Sequence, residues 1–266
     1  MLMAITRRLS PTIGDCELTY LPREQINVER AIAQQNEYVQ YLKNLGVSVV
    51  TLDSEPDFPD AVFVEDPAVV VDEVAVIPRM GAPSRRSETE SMAKVLSNYR
   101  PLKYMNGVAT LEGGDVVRAG RTLYVGLSTR TNREGIAQLQ TFLEPYDYQV
   151  KAVEVHGCLH LKTGCSYLGN NAFLINRCWV DTTPLEVFDL IEAPPDELWA
   201  ANVLVIGNNA LVPACCPETG AILRDRGLNV TKIDVSELEK AEGSLTCMSI
   251  IFNNGKTPAP SSPNNS

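Results

Sequence analysis

Histidine is the scarcest polar resource of this chain, with His156 and His160 the only two in 266 residues. Proton transfer near neutral pH therefore falls on one of them, on a carboxylate or on a thiol. Positive charge is also in deficit: 23 Lys and Arg against 33 Asp and Glu leave a net charge of −10. With a pI near 4.8, the chain would bind nucleic acid generally only against its own field, whereas a cationic small molecule would be drawn in. No apolar run approaches the roughly 20 residues of a membrane helix, since the longest candidate, AVVVDEVAVIP from Ala68, is broken by Asp72 and Glu73. The opening MLMAITRRLS has only six residues before Arg7 and Arg8, five of them apolar, and no small-residue cleavage site, so export is not expected. The cysteines are odd in number: Cys16, Cys158, Cys165, Cys178, Cys215, Cys216 and Cys247. Their spacings suit no zinc ribbon, and the adjacent pair suits no secreted disulfide scaffold, so free thiols in a reducing, cytoplasmic compartment are expected.

Hydrophobic residues make up 44% of the chain, enough for one large domain or two small ones and too many for disorder, collagen or a coiled coil. Apolar spacing from Val28 through Ala31, Ile32, Val39, Leu42 and Leu45, closed by Gly46, predicts a first helix. Ser87 and Glu90 form a capping-box pattern ahead of Met92, Val95, Leu96 and Tyr99. A third helix is predicted from Asn132 to Leu143, ending before Pro145, and shorter ones at Pro184 to Leu190 and Glu218 to Arg226. Extended runs such as VSVVTLD, LKYM, YQVKAVEV and LNVTKID follow the helices, and strand pairs such as GGDVVRAG with RTLYVGL precede them.

The resulting unit is strand, strand, helix, strand. Polar residues recur at the unit starts, Glu65, Glu112, His160, Asn202 and Cys247, separated by 47, 48, 42 and 45 residues. Such a period marks repeated supersecondary units, and about five of them around an axis would gather these side chains into a central pocket. The competing reading of the same periodicity is an ordinary α/β sandwich with coincidental spacing. One folded domain is expected over residues 1–255, followed by a disordered Pro, Ser and Asn-rich tail at 256–266.

His160 opens HLKTGCSYLG at the head of a strand pair, whereas His156 lies in the tail of the preceding strand. Cys247 follows a small, flexible GSLT segment, and a thiol becomes nucleophilic only beside a cation or base. Glu65 and Asp66 in FVEDP and Glu112 with Asp115 in LEGGD are acids at strand ends. Carboxylates converging on a pocket that also holds a thiol would suit a guanidinium, a planar fork of five donors.

The strings FPDAVFVEDPAVV, GAPSRRSETE, LEGGDVV, LSTRTNREG, HLKTG and LTCMS, in this order across residues 58 to 249, resemble the dimethylarginine dimethylaminohydrolases of the guanidine-modifying (pentein) superfamily. The resemblance implies an α/β fold, a five-bladed propeller of ββαβ units. It also implies hydrolysis of Nω-methylated arginines to citrulline and a methylamine, without metal or organic cofactor. By the same resemblance Cys247 is the nucleophile and His160 the acid and base, with Glu112 orienting the imidazole and a substrate nitrogen. Asp66 would accept from the unmethylated side of the guanidinium, with Glu65 supporting the pocket. Asp60 and the Leu18 carbonyl would receive the α-ammonium, Arg85 and Arg130 would clamp the α-carboxylate, and the Ala241 carbonyl would sit at the pocket mouth.

Arginine deiminases of the superfamily carry a second carboxylate two residues after the histidine, where this chain has Lys162. One side of the guanidinium is then left without a charged partner and open to methyl groups. Alternative readings are an arginine deiminase, a hydrolase of another guanidine, or a non-catalytic binding protein of the superfamily. A small-molecule methylated arginine is the expected partner, with no nucleic acid or membrane, for a monomer or homodimer. Zinc, if it binds at Cys247 and His160, is expected to inhibit.

Overall fold

Short β-branched runs pair into five three-stranded sheets, each an antiparallel hairpin with a third strand added in parallel. A parallel partner requires a crossover connection, which in four of the five sheets is a helix. Strands β1 (Leu2–Arg7) and β2 (Ser48–Leu52) run parallel and are joined by α1 (Val28–Asn44). The second unit is β3 (Val69–Val70), β4 (Ala75–Ile77), α2 (Glu88–Leu96) and β5 (Leu102–Tyr104). The third is β6 (Val116–Ala119), β7 (Thr122–Leu127), α3 (Arg133–Leu143) and β8 (Gln149–Glu154). A single turn, α4 (Leu161–Gly164), leads into β9 (Cys165–Gly169), β10 (Ala172–Ile175) and β11 (Asp189–Glu192). The fifth unit is β12 (Leu204–Ile206), β13 (Asn209–Pro213), α5 (Pro217–Asp225) and β14 (Asn229–Ile233). After the turn α6 (Ser236–Glu239), β15 (Ile250–Asn253) pairs antiparallel with β1 and completes the first sheet from the other end of the chain.

The middle strand of each sheet is buried on both faces. Met3 and Ile5 of β1 pack toward the second sheet and Ala4 toward the fifth. Leu123 and Val125 of β7 face the second sheet while Tyr124 faces the fourth. Leu211 of β13 faces the first sheet, and Ala210 and Val212 face the fourth. Five apolar clusters thus lie between successive sheets and close a ring, so these strands read as continuous apolar runs rather than alternating ones. The architecture is the five-bladed α/β propeller expected from the period. Phe173 stands at one such seam with its ring 4.8 Å from Phe188 and 5.9 Å from Tyr124. Burying a ring of this kind stabilises by about 1.5–3 kcal/mol.

The computed structural model describes residues 1–255. The expected tail, 256–266, lies outside the described residues. Among them, no helix is long and apolar enough to cross a membrane.

Local expectations hold where caps are satisfied by side chains. Asn27 accepts the Arg30 amide at the start of α1, and Asn132 accepts the Gly135 amide at the start of α3. The buried stripe of α1 is Ala31, Gln34, Gln35, Tyr38 and Leu42, rotated from the apolar reading, and Ile32 is 42% exposed. Two glutamines are tolerated inside because Gln35 accepts the Leu9 amide and Gln34 that of Glu237.

Two expectations are corrected. Ser87 makes no capping bond: the chain leaves the 3-10 turn Pro83–Arg85 already helical, and Ser87 has φ −72° and ψ −17°, which directs its side chain away from the cap geometry. Pro184 to Leu190 is not a helix but a 3-10 turn, Thr183–Leu185, followed by β11. Seven residues nucleate a helix poorly, and the parallel pairing of Asp189 to Glu192 with β10 takes up their backbone bonds instead.

Candidate active site

The five unit starts meet at one end of the ring and are bonded in a circle. The Gly113 amide donates to the Asp66 carbonyl (2.8 Å), and Glu112 Oε2 lies 2.8 Å from His160 Nε2. Asn202 Nδ2 donates to the Lys162 carbonyl (3.0 Å) and to Thr246 Oγ1 (3.1 Å), and the Glu65 amide donates to the Cys247 carbonyl (3.2 Å). Repetition of the unit is therefore what brings residues more than 180 positions apart within contact.

Cys247 sits on the 3-10 turn Thr246–Met248 at the head of β15. Together with His160, Asp66, Asp60, Arg85, Arg130 and Ala241, it lines one pocket with about 10 Å³ of free space. That holds no more than a water molecule, so an amino-acid-sized ligand enters only if a wall moves. The close approach of elements is set by glycine. A Cβ on Gly114 would stand 2.5 Å from His160 Nδ1 and 2.7 Å from Asp66 Oδ1.

Burial alone would lower the His160 imidazole, but Asp66, the hydrogen bond to Glu112 and the charge of Asp115 hold it up at about 9. Burial works against an ionised Glu112 too, yet the hydrogen bond and charge of His160, with Arg85 and Arg130, keep it well below the usual carboxylate range. Burial and the carboxylates of Glu65 and Asp66 push the Cys247 thiol up to about 12. The pocket therefore rests with a protonated imidazole and a neutral thiol, and any cation entering beside Cys247 favours the thiolate.

Other expected residues take different places. Glu65 faces the axial channel inside the ring, where it pairs with Lys162 Nζ at 2.5 Å. Lys162 is thus turned beneath the pocket and also reaches the Gly113 carbonyl at 3.3 Å. Arg85 lines the pocket, but four of its N–H groups are committed: two to Glu88 (3.0 and 2.9 Å), one to Asp66 (2.7 Å) and one to the Asp60 carbonyl (3.3 Å). Arg130 is freer, donating to Thr19 Oγ1 at 2.9 Å and lying 3.6 Å from Glu112. Asp60 accepts the Glu17 amide at 3.0 Å, and Leu18 packs on the apolar cluster between the first and fifth sheets. His156 stays outside, with its amide bonded to the Trp179 carbonyl.

Two residues that the sequence reading named without a role, and one that it missed, organise the site. Asp115 holds Ser128, Thr131 and the Leu161 amide, and so fixes both the Arg130 loop and the turn after His160. Asn202 ties the His160 turn to the Cys247 turn. Asn202 was one of the repeat positions, and Asp115 was one of the acids of LEGGD. Glu242, which holds the segment over the pocket, had no such signal. Among the described residues, Asp66, Glu112 and His160 form a group of three able to share a cation, their ligand atoms all within 4.8 Å of one another. Cys247 is not one of these three, so the site offers an inhibitory zinc a second ligand set beside the expected thiol and imidazole.

A five-bladed α/β propeller with a thiol, an imidazole and carboxylates at the heads of its units defines the guanidine-modifying, pentein class. A family model for N,N-dimethylarginine dimethylhydrolases of the eukaryotic type matches residues 19–176. The N(G),N(G)-dimethylarginine dimethylaminohydrolase of Streptomyces coelicolor is 36% identical over 248 residues, which cover 93% of this chain and 95% of that protein. The structure of a cysteine-to-serine mutant of the Pseudomonas aeruginosa enzyme complexed with citrulline has a TM-score of 0.90 at 32% identity, covering 94% of this chain and 98% of that one. A dimethylarginine dimethylaminohydrolase with histidine replaced by glycine, as its adduct with S-methyl-L-thiocitrulline, has the same TM-score of 0.90 at 33% identity, covering 95% and 100%. The chain belongs to the dimethylarginine dimethylaminohydrolase family.

Proposed function

We propose that the chain hydrolyses Nω,Nω-dimethyl-L-arginine, and the Nω-monomethyl form, to L-citrulline and dimethylamine or methylamine. The observation that carries this reading is Asp66 Oδ1, a buried carboxylate oxygen with no hydrogen-bond partner, on the wall shared by Cys247 and His160. Leaving such an oxygen unpaired costs about 1–3 kcal/mol or more, which a guanidinium N–H would recover. Citrulline in the related enzyme's complex is the product this reaction would release.

The substrate cation, drawn toward Asp66, lowers the Cys247 thiol and releases its proton to solvent. The thiolate attacks the guanidinium carbon, and the protonated His160 passes its proton to the dimethylamino nitrogen, whose bond to carbon then breaks. Neutral His160 takes a proton from water as the hydroxide adds to the thiouronium, and collapse of the adduct expels the thiolate while its hydroxyl proton leaves to solvent, giving citrulline. Glu112 holds the imidazole throughout. Asp60 and the Leu18 carbonyl receive the α-ammonium, and Arg130 takes the carboxylate, with Arg85 behind it. Lys162, paired with Glu65 below the pocket, leaves the methylated side of the guanidinium without a charged partner. All seven cysteines are free thiols, which supports placement in a reducing, cytoplasmic compartment.

The test is an assay for citrulline and dimethylamine from dimethylarginine, monomethylarginine and arginine, with Cys247→Ser alongside. Turnover of the methylated substrates, abolished in the variant, is expected. Turnover of arginine alone would assign a deiminase, and inactivity on all three would overturn the reading.

A further inference from the structure

Glu242 makes contacts that the chemistry above leaves unused. Its carboxylate accepts the Thr19 amide through both oxygens (3.1 and 3.0 Å), and one of those oxygens also accepts the amides of Tyr20 and Leu21. Three successive backbone donors thus converge on one side chain that is 6% exposed. Glu242 holds this position with φ +56°, in the left-handed region that glutamate adopts only at a cost. Gly243, next in the chain, fits against the Phe63 ring where any Cβ would collide, and so keeps Glu242 at the pocket wall.

The segment Glu17–Leu21 closes the pocket through two further contacts. The Glu17 amide occupies Asp60 Oδ2 at 3.0 Å, and Thr19 Oγ1 occupies Arg130 Nη2 at 2.9 Å. An N–H donor on Asp60 and an oxygen on Arg130 repeat, from within the protein, the two ends of an α-amino acid. Substrate must displace or share both contacts. The Glu242 contact uses the amides of Thr19, Tyr20 and Leu21, different atoms from those on Asp60 and Arg130, and so competes with neither.

We infer that Glu242 is the latch of this lid and the positioning residue for recognition of the substrate's α-ammonium group. The peptide joining Leu18 to Thr19 is planar and trans, so its N–H and C=O point in opposite directions. Holding the Thr19 N–H on Glu242 therefore fixes the direction of the Leu18 carbonyl, the α-ammonium acceptor in the reading above, on which this inference rests. Glu242 acts through that carbonyl, without touching the reacting atoms.

The two tryptophans of the chain supply a readout independent of turnover. Trp179 and Trp199 line a cavity of about 200 Å³ walled by Tyr20, Leu21 and Glu242, so release of the lid uncovers them. The experiment compares wild type with Glu242→Gln and Glu242→Gly by acrylamide quenching of tryptophan emission without ligand. Steady-state kinetics follow, on dimethylarginine and on its des-amino analogue, which keeps the carboxylate and the dimethylguanidinium. Glycine accepts the left-handed backbone without strain, so Glu242→Gly removes the carboxylate while relieving the fold, and it decides the matter if the glutamine variant does not fold.

Quencher access is expected to rise in both variants. KM for dimethylarginine is expected to rise at least about tenfold, with kcat within about threefold and KM for the analogue little changed. Unchanged quenching with a raised KM would assign Glu242 a direct contact with the α-ammonium and overturn the latch. Equal losses on both substrates, or a fall in kcat alone, would overturn the positioning role. If wild type turns over neither methylated arginine, the functional reading fails, while the quenching comparison still decides whether Glu242 holds the lid.

Discussion

Glu112 Oε2 lies 2.8 Å from His160 Nε2 with both side chains buried, so a carboxylate and an imidazolium face each other out of water. Protonation of His160 is tied to folding because the folded group is held up at about 9, above its ordinary 6.5. The stabilisation is fully present below the unfolded value near 6.5 and disappears as pH rises through about 9. Its size is on the order of 3 kcal/mol. Urea denaturation should show wild type more stable than Glu112→Gln at pH 7, with the gap closing by about pH 10. A gap that stays constant over that range would mean that His160 folds neutral.

Gly114 cannot carry a side chain, since a Cβ there would meet His160 Nδ1 and Asp66 Oδ1. Gly114→Ala is expected to lose at least about a hundredfold in kcat/KM, because a displacement of about 1 Å at the reacting groups is enough for that. Stability should fall by about 1–3 kcal/mol. Near-normal kinetics would show that the imidazole is not held where Glu112 and Asp66 place it.

The two arginines at the pocket should separate by phenotype. Arg85 is buried on Glu88 and Asp66, and Arg85→Lys cannot reproduce its fork, leaving a buried carboxylate under-paired. A loss of about 3–5 kcal/mol in thermal or denaturant unfolding is expected. Arg130 holds Thr19 and approaches Glu112 only at 3.6 Å. Arg130→Lys should therefore raise KM with little change in stability. Reversal of the two phenotypes would return the carboxylate clamp to Arg85.

Zinc should inhibit rather than support turnover, through Asp66, Glu112 and His160. Chelators should leave activity intact, and calorimetric zinc binding should survive Cys247→Ser but weaken in Asp66→Asn. Loss of binding in Cys247→Ser would restore the thiol and imidazole pair as the ligand set.

Much of this architecture was legible along the chain. The spacing of Glu65, Glu112, His160, Asn202 and Cys247 pointed to a repeat, and the family motifs chose it over a sandwich with coincidental spacing, because each unit traverses a strand pair and a crossover before returning to the axis. Helices α1 and α3 were visible in the apolar spacing from Val28 and in Gly46 and Asn132, signals that act within a few positions of themselves. The failures were also local in origin. Ser87 does mark the start of α2, but a preceding 3-10 turn leaves it helical and without a capping bond, and the helix-start signal of Pro184 is overruled by pairing with β10.

The sequence by itself determined the number of units and the residue types brought to the pocket, because hydrophobic period, turn chemistry and nucleophile type are properties of short segments. Tertiary structure alone decided which donors and acceptors are already taken. Closure of the ring by β1 with β15 joins the two ends of the chain, and Glu242 meets Thr19 across 223 positions. Arg85 is committed to Glu88, and Lys162 turns away to Glu65. A side chain's partners depend on which surfaces pack together, and no local pattern encodes that.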